Sequence, residues 1–160
     1  MSDAEATAWF EEVPLPALLR HARTIYGEAM RHALEEAGYE DVPRNGLYVI
    51  GGLALGAGAT PLGQLIQDLR ISKQAAGQLV DALVVRGYLA RSVDEDDRRK
   101  LTVTLTVRGQ AAAAAQRAAR EKVDAALIAS VGQDDVDRTR RTLAALIKLG
   151  HVGDGKDDDP

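Results

Sequence analysis

Apolar residues recur at steps of three and four over residues 15–37, where Leu18, Ala22, Ile25, Ala29 and Ala33 form one stripe flanked by Leu19, Tyr26 and Met30. That spacing predicts an amphipathic helix. Pro14 and Pro16 stand at its start, where proline is tolerated, and Gly38 marks its stop. A second helix is expected from about Pro43, carrying Leu47, Ile50, Leu53 and Ala54. Gly51 and Gly52 inside it each cost about 1 kcal/mol relative to alanine, which points to close packing against another helix or to a weak spot. Gly56 to Ala59 reads as a loop. Thr60-Pro61 reads as an N-cap followed by proline at the first helical position, opening a short helix with Leu62, Leu65, Ile66 and Leu69 on its apolar face. Arg70-Ile71 is a tight connection. Ser72 caps the next helix, which runs to Arg86 with Ala76, Leu79, Val80, Leu83 and Val84 facing inward, and Gly87 stops it.

The period then changes. Leu101 to Val107 alternates strictly between apolar and polar residues, the signature of a half-buried strand, and residues 88–93 make a partner for it. Between them lies a charged tip, Asp94-Glu95-Asp96-Asp97-Arg98-Arg99-Lys100. From Gly109 the pattern returns to helix, through the alanine run 111–115 and on to Ala119, Val123, Ala126 and Leu127. A last helix starts at Asp134 or Asp135 and carries Val136, Leu143, Leu146 and Ile147. The acidic, glycine-bearing tail is expected to be disordered. No internal repeat is visible.

Composition sharpens this picture. The chain has 160 residues, 46% of them hydrophobic but only 4% aromatic, so its core rests on Leu, Val, Ile and Ala, which favours helix. It holds no cysteine, which excludes disulfides, thiol chemistry and thiolate metal sites. Its apolar runs are too short for a membrane span, and its acidic start does not resemble a signal peptide, so a cytoplasmic protein with no membrane partner is expected. The net charge of -4 is unevenly spread. Residues 1–69 hold 4 bases and 10 acids, residues 70–108 hold 8 bases and 5 acids, and residues 109–160 hold 8 bases and 9 acids. Only the middle third is basic, and a local basic surface is what phosphate attraction needs.

That basic third also contains the two short helices joined by a tight turn, the arrangement of a helix-turn-helix. A strand hairpin straight after the second helix makes it the winged form. Such a helix enters the DNA major groove with its leading turns against the bases. Those turns hold Ser72, Lys73, Gln74 and Gln78. Glutamine can bond adenine through two hydrogen bonds, lysine reaches guanine or phosphate, and Ser72 caps the helix and touches phosphate. Arg98 and Arg99 on a thin hairpin suit the narrow minor groove, and Asp97 beside them can hold a guanidinium in one pose. A solvated turn with local ion pairs is the plainer reading of the same tip.

The stretch TPLGQLIQDLRISKQAAGQLVDALVVRGYLARSVDEDDRRKLTVTLTVRG, Thr60 to Gly109, resembles the DNA-binding lobe of MarR-type transcriptional regulators. SKQAAGQLVDALVVRGYL is similar to the family's recognition helix, and DEDDRRKLTVTLTVRG to its wing, where Asp-x-Arg falls on Asp97 and Arg99. The resemblance implies a mainly α fold with a small two-stranded antiparallel wing, and N- and C-terminal helices that form a dimerisation region. It divides the chain into a dimerisation helix (1–42), a winged helix-turn-helix lobe (43–109), C-terminal dimerisation helices (110–150) and an acidic tail (151–160). It further implies a homodimer, most simply a repressor, reading palindromic double-stranded DNA. Leu18, Ile25, Leu143, Leu146 and Ile147 fit such an interface, or else close the chain's own core. Regulators of this type often bind a phenolic or lipophilic effector between the dimer helices and the lobe, for which Tyr26, Met30, Tyr48 and Leu53 are candidate wall residues, as they are for ordinary packing.

Other chemistries find little support. His21, Glu28 and His32 fall near one stripe of the first helix, but at the rim of its apolar face, so no metal is expected. Gly51, Gly52, Gly56 and Gly58 lack the closing Gly-Lys-Ser/Thr of a phosphate loop. No nucleophile elbow is present, so neither a cofactor nor enzymatic activity is expected. The rival reading is a winged-helix protein-interaction module without DNA binding, favoured by the acidic first third and the acids at the tip.

Overall fold

The computed structural model describes residues 9–93, 97 and 100–153. The elements are α1 (Leu15–Glu36), α2 (Gly46–Leu55), β1 (Ala59–Pro61), α3 (Leu62–Leu69), α4 (Lys73–Val85), β2 (Leu89–Val93), β3 (Leu101–Leu105), α5 (Val107–Val131) and α6 (Gln133–Gly153). The chain divides into two compact units, Met1–Arg120 and Glu121–Pro160.

The first unit is built around Leu34 of α1, Ile50 of α2, Val80 and Leu83 of α4, Tyr88, Val103 of β3 and Ala112 of α5, all fully buried. The side of α1 that packs on this core is the Tyr26–Met30–Leu34 stripe. The neighbouring stripe of Leu18, Ala22, Ile25, Ala29 and Ala33 is not the side that packs there, since Ile25 is 57% exposed. Both stripes are apolar, and the chain's own core takes the one with the larger side chains. Arg31 ties α1 to the following connection by donating to the carbonyls of Val42 (2.8 Å) and Arg44 (2.9 Å). That bracing, with Pro43 in the turn, delays α2 to Gly46, three residues after the expected start.

The wing has three strands, not two, in the order β1-β3-β2. Both neighbours pair with β3 antiparallel, with Thr60 opposite Val103 and Arg91 opposite Val103 on the other edge. Ala59 and Thr60 therefore belong to a strand and not to a loop and a cap. Pro61 takes the capping position of α3, with φ -56° and ψ 135° and no side-chain cap. Proline is acceptable at the end of an edge strand, where its missing N–H costs no ladder bond.

The alternating pattern also overstates β3, which ends at Leu105. Thr106 leaves the ladder to cap α5: its hydroxyl accepts from the Gly109 N–H (3.0 Å) and donates to the Gly87 carbonyl (2.5 Å). Val107, read as the last inward strand residue, is instead 84% exposed in the first turn of the helix. Gly87 takes the left-handed conformation (φ 77°) that its place at the helix-to-strand turn requires.

Among the described residues of the second unit Val136 is the buried apolar one, while Leu127, Val131, Leu146, Ile147 and Leu149 are exposed. The helix α6 begins at Gln133, one residue before the earlier of its expected starts, and continues to Gly153, three residues beyond its expected end. Residues 154–160 of the acidic tail lie outside the described residues.

Candidate nucleic-acid interface

The helix α4 presents two opposed faces. Ala76, Val80 and Leu83 are buried at steps of three and four, which pins one side of the helix to the core. Ser72, Lys73, Gln74 and Gln78 are all exposed at its leading end. The Ser72 hydroxyl accepts from the Ala75 N–H (3.1 Å), the N-cap bond the sequence implies, worth about 1 kcal/mol. The turn before it is tight because Arg70 adopts a left-handed conformation (φ 50°, ψ 36°), with its N–H on the Gln67 carbonyl (3.2 Å). A non-glycine residue there costs about 1–2 kcal/mol, which the packing of α3 and α4 must offset. Asp81 of α4 pairs with Arg91 of β2, so the helix is braced against the wing strand.

At the wing tip, the Asp97 carbonyl accepts from the Lys100 N–H (2.8 Å), and Lys100 is exposed. Arg98 and Arg99, together with Asp94, Glu95 and Asp96, lie outside the described residues. Asp97 is half-buried.

The four residues named for an effector are dispersed. Met30 belongs to the core and Tyr26 packs against it. Tyr48 and Leu53 line a cleft of about 840 Å³ that also touches Leu65 and Leu69 of α3 and Leu79 of α4. At this cleft the Arg23 guanidinium lies over the Tyr48 ring, 4.4 Å from its centre. Among the described residues no cluster of three or more His, Cys, Asp or Glu could hold a metal ion, and His32 contacts Glu36 (3.4 Å) one helical turn on. No described helix is long and apolar enough to cross a membrane.

Two polar features were not legible beforehand. The first joins Asp41, Tyr88 and Arg108. The buried Tyr88 donates its hydroxyl proton to Asp41, while Arg108 Nη2 donates to the Asp41 carboxylate and to the Tyr88 oxygen, each at 3.0 Å. The Arg108 guanidinium also covers the Tyr88 ring at 4.7 Å and the Tyr39 ring at 5.6 Å. The latch ties the connection before α2 to the roots of β2 and α5. The Tyr88 hydrogen bond, with Arg108 adding to it, holds the Asp41 carboxyl below its ordinary 3.8. Burial first, then the bond to Asp41, raises the Tyr88 hydroxyl above 10.0. The signs fix the pH window. A lowered carboxyl stabilises the fold above its unfolded value, and that contribution is lost as pH falls below 3.8 towards the folded value. A raised tyrosine stabilises the fold below 10.0 and loses its contribution as pH rises past that point. Denaturation midpoints of Asp41→Asn should therefore fall below wild type by a constant amount through the neutral range. The gap should close in acid, and a gap independent of pH down to full acid unfolding would remove Asp41 from the latch.

The second feature is Gln116 of α5. It is 1% exposed, and neither Nε2 nor Oε1 has a hydrogen-bond partner. Leaving such a group unmet costs about 1–3 kcal/mol. Gly51 is what admits it, since a Cβ at that position would stand 3.0 Å from Gln116 Oε1, whereas one at Gly52 would meet nothing within 4 Å. Of the two readings of the paired glycines, close packing therefore holds for Gly51.

This architecture has known counterparts. A crystal structure of a MepR mutant from a multidrug-resistant S. aureus isolate superposes with a TM-score of 0.70 at 16% identity, over 86% of this chain and 98% of that one. An E. coli MarR mutant complexed with operator DNA gives 0.67 at 19%, over 86% and 96%. NadR in complex with 4-hydroxyphenylacetate gives 0.69 at 19%, over 86% and 95%. No curated protein matches the chain in sequence. MarR-family transcription regulators are not enzymes. The MarR family model matches residues 40–100, the stretch holding α2 to the wing tip, and over 86% of its length this chain carries the winged helix-turn-helix fold of MarR-type regulators.

Proposed function

We propose that this protein is a homodimeric, cytoplasmic DNA-binding transcription regulator, acting as a repressor on a palindromic operator. The observation that carries the reading is the leading end of α4. It is capped, braced from behind by a buried face, and left open with Lys73, Gln74 and Gln78 outermost. In the major groove these three side chains read base edges, Ser72 touches phosphate, and Arg98 and Arg99 enter the minor groove with Asp97 orienting Arg99. The operator complex of the similar E. coli MarR mutant supports this use of the fold.

The dimer is supported by apolar surface that a single chain leaves open. Ile25, Ile147 and Leu149 are 57%, 62% and 71% exposed, and Leu15 and Leu146 are exposed as well. Burying large aliphatic side chains contributes about 1.5–3 kcal/mol each, so these are expensive positions to leave in water. A two-fold pair places two α4 helices on half-sites about one helical turn apart. The cleft at Tyr48 and Leu53, which also reaches α3 and α4, is the place for a phenolic or lipophilic effector. The 4-hydroxyphenylacetate bound by NadR supports an effector of this kind.

A salt titration tests the reading. Affinity for duplex fragments retained by the purified protein should fall at least about a hundredfold for a fourfold rise in salt, the release expected from roughly four phosphate contacts. A flat response would favour the protein-interaction module, which the surplus of acids in residues 1–69 supports.

A further inference from the structure

The four bases of the acidic first third, Arg20, Arg23, Arg31 and Arg44, all line one cavity of about 600 Å³ between α1 and the start of α2. Residues 1–69 hold 10 acids, yet among the described residues the one carboxylate in that lining belongs to Glu28. The fold thus sorts charge that the sequence leaves mixed. On α1, Arg20, Arg23, Gly27 and Arg31 recur at steps of three and four, which puts them on one face. Positions two apart on a helix lie about 200° round from each other, so Arg23 and Gly27 point away from the exposed Ile25 between them. A pairing of chains through Ile25 would leave the arginine face open. Two of the guanidinium groups are held in place. Arg31 donates to the carbonyls of Val42, Pro43 and Arg44, at 2.8, 3.4 and 2.9 Å. Arg23 lies over the Tyr48 ring. Carbonyls and a ring face leave a positive charge uncancelled, and among the described residues no carboxylate forms an ion pair with any of the four. Arg20 and Arg44 are exposed.

We propose that this cavity binds a di- or triphosphate group, either free or carried by a nucleotide. The charge count sets the class. Four arginines against one glutamate leave three positive charges over, more than a single carboxylate or a single phosphate can meet. Geometry agrees with the count. A guanidinium pairs best with two oxygens on one centre. A carboxylate offers one such pair in one plane, whereas a phosphate chain offers several, pointing in different directions. The arginines arrive from two sides, three from α1 and Arg44 from the connection before α2. The volume falls within the range of small-molecule sites. The helix α2 also starts here, at Gly46, without a side-chain cap, so the positive end of its dipole adds to the same field.

Inorganic triphosphate is the probe, in calorimetric titration of the full chain in magnesium-free buffer. It should bind at least tenfold tighter than citrate, which carries a similar charge on carboxylates, and than orthophosphate. Arg20→Gln and Arg44→Gln should each weaken triphosphate at least fivefold with unchanged melting temperature, because both side chains are exposed. Glu28→Gln should tighten it, and Arg117→Gln, exposed on α5, should leave it as it is. ATP binding tighter than triphosphate would assign the group to a nucleotide, and equal binding would assign it to the phosphate chain itself. Triphosphate binding no tighter than citrate, or weakened as much by Arg117→Gln as by Arg20→Gln and Arg44→Gln, would overturn the proposal. So would Arg20→Gln and Arg44→Gln variants that lose duplex affinity while the wild type ignores triphosphate, since that result gives the arginines to a DNA backbone. Salt-dependent duplex binding by the wild type is a separate readout, so this site can fail while the DNA-binding reading stands.

Discussion

Gly109→Ala should cost about 3 kcal/mol or more and lower the melting temperature by roughly 10 °C, at about 2–4 °C per kcal/mol for a chain of this size. The reason is steric and local. A Cβ at Gly109 would run into the Tyr88 carbonyl oxygen, far inside van der Waals contact, and would stand 3.0 Å from Leu105 Cδ2. The obstacle is backbone, and it cannot swing aside. The Tyr88 carbonyl is already committed to the Thr106 N–H (3.1 Å), and the Gly109 N–H to the Thr106 hydroxyl. Gly52→Ala is the natural control, because nothing lies within 4 Å of a Cβ there and the site is a helix interior. It should raise stability by up to about 1 kcal/mol. Thermal melts followed by circular dichroism separate the two, and equal melting temperatures would contradict the close approach of α5 to the Tyr88 backbone.

Arg99→Ala should weaken binding to a retained duplex by about tenfold or more at fixed salt, the loss expected for one good contact of about 1–3 kcal/mol. The loss should fall evenly across duplex sequences, with a shallower salt dependence, because a minor-groove arginine answers mainly to electrostatic potential. Gln74→Ala should behave differently and change which duplexes are preferred, since the proposed reading gives its exposed amide to base edges. Fluorescence anisotropy against a small duplex panel distinguishes the patterns. An Arg99→Ala isotherm that overlays wild type would remove the wing from the interface.

The capped, exposed leading end of α4 was visible in the sequence because every local signal agreed. Ser72 supplies a cap, and 76, 80 and 83 supply the helical period. The polar residues 73, 74 and 78 fall where that period leaves them outside. The interior of β3 was equally plain, yet its end was not. Alternation continues through Val107, and periodicity is blind to Thr106 having two better uses for its hydroxyl as a cap. The third strand escaped because three residues ending in proline do not look like a strand until a partner is present. On α1 both flanking stripes are apolar, and one chain's pattern cannot say which of them faces its own core. Asp41 and Tyr88 lie 47 positions apart, so nothing short of the fold unites them with Arg108. Gln116 was hidden by its company: one polar residue beside a run of alanines reads as solvent-facing, and only Gly51 across the contact explains how it fits inside.

The small strand β1 has a mechanical consequence. It is hydrogen-bonded to residues 102–104 and passes straight into α3 at Leu62, with no slack chain between. The hairpin and the helix pair α3–α4 thus hang from a common beam. A substitution that tilts the 102–104 ladder tilts the scaffold under α4 as well, so damage at the base of the wing is passed to the exposed leading end of that helix.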